Sequence, residues 1–167
     1  MKIVVIIPAA GLGTRMSSAG RVPKSTSKQF FELDGTPILF HTLRKFAQCP
    51  AVDEIVVALR KNETASFQKQ VEKDKLKKPV RVVQGGEHRQ NSVANAIATI
   101  NAAEDDIVLI HDAVRPFVNQ ETITGVIEAV KKYDAAIAGV PAFDTGPALH
   151  LYRIQRKQDG LSERLDV

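Results

Sequence analysis

The sequence predicts an α/β fold, in which a mostly parallel sheet is covered by helices. Short runs rich in Val and Ile alternate with segments of helical period, which is the pattern of such a sheet. Each run is short and largely apolar, as expected for strands that are buried on both faces. The predicted strands are residues 2–7, 54–59, 80–83, 107–110 and 135–140.

Apolar residues that recur every three or four positions predict four helices. The first runs from Thr36 and Pro37, an N-cap and a first-turn proline, to about residue 48. A more polar helix follows at about 63–73, a third starts near residue 90, and a fourth covers about 120–132. The apolar residues that mark these helices are Leu39, Leu43 and Phe46 in the first, Val93, Ile97 and Ile100 in the third, and Ile123, Ile127 and Val130 in the fourth.

The pattern weakens beyond Thr145. Residues 149–154 are compatible with a further strand, but residues 155–167 are largely polar and charged, without an amphipathic period. A chain of 167 residues is long enough for one domain with a sizeable core. We therefore expect one domain, with a core at residues 1–145 and an atypical tail at 146–167.

Composition excludes several functional classes. The sequence is 44% hydrophobic and 25% charged, and no apolar run approaches the roughly 20 residues that span a bilayer. The single cysteine, Cys49, has no companion for a disulfide or a metal site, so we expect a cytoplasmic protein. Lys and Arg are scattered among nearly as many acids, and the basic run at 73–78 lacks interleaved aromatic residues. We expect neither nucleic acid nor membrane as a partner.

The loop after the first strand carries the strongest functional signal. It reads Pro8-Ala9-Ala10-Gly11-Leu12-Gly13-Thr14-Arg15-Met16. Glycines at positions 11 and 13 let backbone amides close on phosphate oxygens, where a Cβ would obstruct the approach. The loop lacks the third glycine of a dinucleotide-binding fingerprint and the Gly-Lys-Ser/Thr of a Walker A loop. It is therefore a different kind of phosphate loop.

Cations accompany this loop. Arg15 lies within it, and Lys24 and Lys28 follow on a stretch rich in Ser and Thr. Nucleotidyl transfer needs little covalent help, so cations on the α-phosphate and the leaving pyrophosphate carry most of the catalysis. Arg15 and one lysine suit that role. The alternative is an ordinary tight turn with surface cations.

A second motif, GGEHRQNS at residues 85–92, lies between the third strand and a helix. A turn at the carboxyl end of a parallel strand faces the ligand crevice. Its paired glycines allow a flat base to approach, and Glu87, Asn91 and Ser92 offer donors and acceptors for base edges. The alternative is a Gly-Gly turn with a polar N-cap.

Two further motifs follow strands. Asp112, where a buried strand emerges, can coordinate Mg²⁺ that bridges phosphate oxygens, and Arg115 can grip a second phosphate. The alternative is a turn that Asp112 caps, with a salt bridge to Arg115. We assign His111 no catalytic role, because a phosphate nucleophile needs no general base. Asp144 and Thr145 can hydrogen-bond a polyol, although without the other motifs a plain polar turn explains them better.

Together the runs PAAGLGTRM, SKQF, QGGEHRQNSV, HDAVRPF and FDT, in this order and at these separations, resemble the 2-C-methyl-D-erythritol 4-phosphate cytidylyltransferases of the non-mevalonate isoprenoid pathway. The resemblance covers about residues 2–145. The HDAxRP and GGxxR…SV elements are specific to this family and its close relatives, the ribitol 5-phosphate cytidylyltransferases. The implied fold is a Rossmann-like nucleotidyltransferase of the nucleotide-diphospho-sugar transferase type, a three-layer sandwich around the sheet.

The activity that this resemblance implies is attack by the methylerythritol phosphate oxygen on the α-phosphorus of CTP, with release of pyrophosphate and dependence on Mg²⁺. Two alternatives stay open, a ribitol 5-phosphate cytidylyltransferase and a non-catalytic nucleotide-binding remnant. Both substrates of the implied reaction are small molecules.

The resemblance also implies the roles of individual residues. Lys28 rather than Lys24 is the expected catalytic lysine, because Lys28-Gln29-Phe30 reproduces the family's Lys-Gln-aromatic run, although Ser27 stands where the family usually has proline. The implied set is Arg15 and Lys28 for transition-state stabilisation; Pro8, Ala9, Ala10, Gly11, Gly13, Gly86, Glu87 and Ser92 for CTP; Arg115 and Thr145 for methylerythritol phosphate; and Asp112 for the metal.

The C-terminal residues depart from the family. Members continue through a protruding dimer arm and then a segment whose Asp and Lys complete the metal and triphosphate site. After Asp144 and Thr145 they normally read Ile-Lys, whereas this sequence reads Gly146-Pro147. We therefore expect a chain truncated or diverged after about Thr145, without the arm of the family's homodimer and with one wall of the site incomplete.

Overall fold

A computed structural model describes residues 1–11 and 27–139, together with the backbone of residues 150–153. Contacts divide the chain into two units, Met1–Val118 and Asn119–Val167. In chain order the elements are β1 (Ile3–Pro8), a 3-10 helix (Lys28–Phe30), β2 (Glu32–Leu33), β3 (Thr36–Pro37), α1 (Ile38–Ala47), β4 (Glu54–Leu59), α2 (Lys61–Asp74), β5 (Val80–Gln84), α3 (Arg89–Ile97), β6 (Ile107–Ile110), α4 (Gln120–Tyr133), β7 (Ala136–Gly139) and β8 (His150–Arg153).

The first unit is organised around a parallel sheet of four strands in the order β5-β4-β1-β6. The observed bounds of β4 and β6 are those predicted, β5 is one residue longer at its C-terminal end, and β1 is shifted by one residue at both ends. Every residue of β4 is buried, as are Ile3 to Ile7 of β1. Because successive side chains point to opposite faces of a strand, both faces of the central sheet are covered. The predicted parallel sheet is confirmed for four of the five predicted strands, whereas the fifth, predicted at 135–140, lies in a separate antiparallel pair.

Helices α1 and α2 follow the predicted pattern closely. Leu39, Leu43 and Phe46 of α1 are buried, and α1 packs against β4. Helix α2 packs against β5 and buries only Phe67 and Val71, as expected from its polar sequence. Together these contacts bury the apolar side chains of two otherwise polar helices.

The predicted start of the first helix is wrong. Thr36 and Pro37 form β3, which pairs antiparallel with β2, and the helix begins at Ile38. The two strands are joined by Asp34 and Gly35, whose φ angles of 52° and 68° are both left-handed. An Asp-Gly pair with two positive φ angles is the preferred two-residue hairpin turn. The turn signal, missed in the sequence, places Pro37 in extended backbone with ψ 137°.

The face predicted for the third helix is also displaced. In α3 the buried residues are Ser92 and Ala96, whereas Ile97 is 47% exposed. Ala96 packs in a cluster with residues of β1 and β4, including Val4 and Val56. Small side chains on this face allow the helix to approach the sheet closely. Ile100, predicted to be within the helix, lies beyond its end and packs at the border of the same cluster.

The second unit contains α4, which packs against β7 and β8. Helix α4 begins at the predicted residue, and the side chain of Asn119 accepts a hydrogen bond from the Thr122 amide at 2.8 Å, which satisfies a free amide of the first turn. Ile123 and Ile127 are buried, as predicted. Strand β7 lies within the predicted range 135–140 and pairs antiparallel with β8, which lies within 149–154. No helix in the described ranges is long and apolar enough to cross a bilayer.

Candidate active site

The described parts of three predicted motifs, at residues 8–11, 85–92 and 111–116, meet at the carboxyl edge of the parallel sheet. Hydrogen bonds continue the strand pairing beyond the strand ends, from the Ala9 amide to Ala58 O (2.8 Å), from Gly85 to Leu59 O (2.7 Å) and from His111 to Ile6 O (3.0 Å). The chain therefore leaves β1, β5 and β6 along directions fixed by neighbouring strands. This edge is where α/β sheets bind ligands.

The turn after β5 lies directly against the loop after β1. A Cβ atom added at Gly85 would lie 2.6 Å from the Cβ of Ala10 and 2.9 Å from the Oγ of Ser92. Such distances are too short for non-bonded carbon and oxygen atoms, so only glycine allows this approach. Sequence reasoning assigned Gly86 to the site and left out Gly85, although the Gly-Gly pair was visible. The contact joins the two predicted nucleotide-binding segments.

Ser92 and Asn91 hold the turn from within. The Ser92 side chain is buried, and its Oγ accepts a hydrogen bond from the Gly86 amide at 3.0 Å and lies 3.2 Å from the carbonyl oxygen of His88. Asn91 Oδ1 accepts from the His88 amide at 3.2 Å. Glu87 is exposed. In this arrangement Ser92 fixes the shape of the turn, and Glu87 is the predicted base-reading side chain that is open to a ligand.

Lys28 is held near the end of β1 by a hydrogen bond of the residue that follows it. Gln29 is buried, and its Nε2 donates a 2.6 Å hydrogen bond to the carbonyl oxygen of Ala9. This bond ties the 3-10 helix that carries Lys28 to the end of β1. In the sequence, Gln29 was singled out only as part of the run Lys28-Gln29-Phe30. A glutamine by itself does not indicate which group its side chain will bond. The bond thus places the backbone of Lys28 near Ala9, one of the residues predicted to bind CTP.

Asp112 lies between two arginines. Its Oδ1 accepts from Nη2 and Nε of Arg89 at 3.0 and 3.2 Å, and its Oδ2 lies 3.0 Å from Nε of Arg115. The Asp112–Arg115 pair was the structural alternative given above, and it is present. Arg89 was missed, since 23 residues separate it from Asp112. Both arginines are mostly exposed, and exposed ion pairs contribute little, about 0–1 kcal/mol. A phosphate group can therefore replace Asp112 as the partner of either arginine at a small cost in free energy.

His111 supports the same loop. Burial lowers the pKa of His111, with a further lowering by Arg115, against the raising effects of its hydrogen bond and of Asp112. Its Nε2 lies 3.0 Å from the carbonyl oxygen of Arg115, and because a carbonyl only accepts, Nε2 carries the hydrogen. The ring also packs edge-on against Phe46. These contacts hold the loop after β6 in place.

Several predicted site residues lie outside the described residues. They are Gly13, Arg15, Lys24, Asp144 and Thr145. In the ranges that are described, no three His, Cys, Asp or Glu side chains lie close enough to hold a metal ion. A metal at Asp112 would therefore take its other ligands from the substrate, from water or from residues beyond those ranges.

The family described as 2-C-methyl-D-erythritol 4-phosphate cytidylyltransferase matches residues 3–154. The chain belongs to this family. The match confirms the resemblance predicted from the motifs, and it includes every described residue of the candidate site.

Individual members of this cytidylyltransferase family are similar in sequence to the chain over about the same region. The chain is 52% identical to the cytidylyltransferase of Acidobacterium capsulatum over 145 residues, which are 87% of this chain and 60% of the relative. It is 47% identical to that of Solibacter usitatus over 146 residues, 87% of this chain and 59% of the relative. The chain thus spans about 60% of the length of these relatives.

Solved structures confirm the nucleotidyltransferase fold. The 4-diphosphocytidyl-2C-methyl-D-erythritol synthase of Anaerococcus prevotii matches with a TM-score of 0.67 and 25% identity, over 98% of this chain and 63% of that one. Another synthase of the same name matches with a TM-score of 0.67 and 30% identity, over 99% and 68%. The predicted Rossmann-like α/β class is correct.

Proposed function

We propose that this chain transfers a cytidylyl group from CTP to 2-C-methyl-D-erythritol 4-phosphate, releasing pyrophosphate, as a step of isoprenoid precursor biosynthesis in the cytoplasm. The observation that carries the proposal is the contact of Gly85 with Ala10. It joins the phosphate loop to the turn assigned to the base, so one nucleotide can span both. Membership of the cytidylyltransferase family supports cytosine as that base.

On this proposal the triphosphate lies on the loop after Pro8. The Ala9 amide is already bonded to Ala58, so the phosphate contacts fall to the amides that follow it, from Ala10 and Gly11 onwards. Lys28, whose neighbour Gln29 is bonded to Ala9, is proposed to place a positive charge beside the same loop. Negative charge grows on the phosphate oxygens as pyrophosphate departs, and a pre-positioned cation stabilises that transition state.

Gly86 and Glu87 are proposed to contact the cytosine, with Ser92 holding their turn in shape. A Cβ at Gly86 would collide with the Cβ of Asn91, so the turn requires glycine at this position. The base is proposed to approach the main chain of this turn. Arg115, mostly exposed beside Asp112, and Thr145 are proposed to face the methylerythritol phosphate.

Asp112 is proposed to hold Mg²⁺ together with phosphate oxygens of CTP. Mg²⁺ commonly binds through one or two carboxylates plus substrate phosphates, so a single carboxylate at the sheet edge fits this group. When bound, Mg²⁺ neutralises phosphate charge. Arg89 and Arg115 now pair with Asp112, and a cation at this carboxylate would leave both guanidinium groups free for phosphate.

A pyrophosphate-release assay with CTP and Mg²⁺ tests the proposal, with methylerythritol phosphate or ribitol 5-phosphate as acceptor. We expect turnover with methylerythritol phosphate, and a loss of about 100-fold or more in kcat for Lys28→Ala. The matched control is Lys69→Ala, an exposed lysine on α2. Turnover with ribitol 5-phosphate alone would identify the close relative instead, and CTP binding without turnover would identify a nucleotide-binding remnant.

A further inference from the structure

A partly buried polar cluster lies next to Lys28, and none of its members belongs to the proposed binding set. It consists of Ser27, Arg60 and Glu63, and we refer to it as the Ser27 cluster. The Ser27 hydroxyl is buried and donates to Glu63 Oε1 at 2.8 Å. Arg60 Nη2 donates to the same carboxylate oxygen at 2.6 Å and to the Ser27 hydroxyl. The cluster thus connects the start of α2 to the residue before Lys28.

Ser27 also forms the first position of the turn that carries Lys28. Its carbonyl oxygen accepts from the Phe30 amide at 2.9 Å, and the Lys28 carbonyl accepts from the Phe31 amide at 3.2 Å. The Phe30 ring packs against Phe67 of α2, with ring centroids 5.9 Å apart. The backbone of Lys28 is therefore held from the α2 side through Ser27 and Phe30.

The other side of the turn is fixed as well, by the bond from Gln29 to Ala9 O. Lys28 thus sits between two anchors, one on β1 and one on α2. Buried ion pairs often add little to net stability, because the cost of desolvation offsets the attraction. Their effect is then on position, and the group whose position depends on Ser27 is Lys28.

We propose that Arg60 and Glu63 are positioning residues: they hold Ser27, and through it the turn that places Lys28 at the phosphate loop. Neither residue is proposed to touch a substrate. The benefit for catalysis rests on the proposed function, whereas the effect on the turn does not. A reacting group displaced by about 1 Å can lose around 100-fold in rate, so a loosened turn should lower kcat rather than nucleotide affinity.

The backbone of Ser27 provides a sharp test. Its φ of −70° and ψ of 133° are values that proline adopts, since the proline ring fixes φ near −65°. Ser27→Ala removes the hydroxyl and leaves φ free. Ser27→Pro also removes the hydroxyl but fixes φ covalently. If the hydroxyl acts by holding the turn, proline at position 27 should compensate for its loss, and alanine should not.

The first measurement is amide hydrogen exchange of Phe30 and Phe31 in the full chain. We expect exchange about 10-fold faster in Ser27→Ala and in Glu63→Ala, and near wild-type exchange in Ser27→Pro. The control is Ser66→Ala, an exposed serine on α2 whose hydroxyl bonds the Glu63 carbonyl at 3.0 Å. Wild-type exchange in Ser27→Ala, or equal losses in the alanine and proline variants, would overturn the proposal.

The second measurement is steady-state turnover. We expect Ser27→Ala to lower kcat about 10-fold with little change in the KM for CTP, Ser27→Pro to keep kcat within about 2-fold, and Ser27→Ala to have no further effect in a Lys28→Ala background. If Ser27 had a purely structural role, both Ser27→Ala and Ser27→Pro would lower kcat. The loss in Ser27→Ala would then also add to the loss in Lys28→Ala, and these results would overturn the proposal. If the wild-type chain shows no turnover, the proposed reaction fails, and the exchange measurement alone decides the positioning.

Discussion

At Gly85 the main chain passes so close to Ala10 that a methyl group has no room. We predict that Gly85→Ala destabilises the chain by about 1–3 kcal/mol, because the added carbon must push either Ala10 or the buried Ser92 aside. Separation of the two loops should also weaken CTP binding. Urea denaturation gives the first quantity and a CTP titration gives the second.

Gly11→Ala serves as the control for stability. A Cβ at Gly11 would meet no atom of the described residues within 4 Å, and its φ is not in the left-handed region that favours glycine. Its free energy of unfolding should therefore stay close to that of the wild type. An equal loss of stability in both variants would mean that contact with Ala10 is not the cause.

At this scale the sequence predicts which residues carry charge or flexibility, but not which of them meet. Gly86 and Asp112 were proposed from residue type and from their place after a strand, and Lys28 from the family's Lys-Gln-aromatic run. The partners of Asp112 and Ser27 were not. Arg89 is 23 residues from Asp112, and Glu63 is 36 residues from Ser27, so no local pattern connects them. Such pairs become apparent only when the fold brings their elements together.

Among elements, strands were predicted better than helix faces. Strands β1 and β4 are buried on both faces, so their apolar runs mark their ends to within a residue, whereas a helix on a flat sheet can approach through small residues. In α3 the apolar Ile97 is exposed and Ala96 is buried, so apolar periodicity marked a face displaced by about one residue. A prediction from apolar periodicity depends on large apolar side chains. It therefore misses helix faces that are buried through alanine and serine.

Glu54 connects three strands and supplies a prediction at this scale. It begins β4, and its carboxylate pairs with Lys2, which precedes β1, and with Arg81 of β5. Burial alone would raise the pKa of Glu54, but hydrogen bonds and charge from Lys2 and Arg81 outweigh it and lower the pKa. Because the folded pKa is below the unfolded value of about 4.3, the stabilisation is present above that value and is lost as the pH falls through the folded pKa.

We therefore predict that Glu54→Gln lowers the free energy of unfolding by about 1–2 kcal/mol at pH 7. The difference from wild type should shrink as the pH is lowered below about 4.3. Urea denaturation from pH 7 to pH 3 measures both effects. Glu104→Gln, on an exposed loop, is the control and should follow the wild-type curve. A difference that is constant over this pH range would show that the ionised carboxylate is not what stabilises the strands.

For the whole molecule, the residues proposed to bind CTP that are described all lie in the unit Met1–Val118. They come from the ends of β1, β5 and β6 and from the 3-10 helix, which are far apart in sequence but share one sheet edge. A nucleotide across this edge would hold these segments together. Any ligand that binds only the folded chain stabilises it by mass action, so nucleotide binding should be visible in global stability without turnover.

We predict that CTP with Mg²⁺ at 100 times its dissociation constant raises the free energy of unfolding by about 2.7 kcal/mol. ATP at the same concentration should give a smaller shift, because the turn at Gly86 and Glu87 is proposed to select cytosine.

Asp112→Asn should remove the part of the shift that depends on Mg²⁺. The control is Asp105→Asn, which changes an exposed acid before β6 and should leave that part intact. Chemical denaturation with and without EDTA separates these contributions. Equal shifts with ATP and CTP would contradict selection of the base, and a shift with CTP in the absence of any pyrophosphate release would indicate a chain that binds the nucleotide without catalysing its transfer.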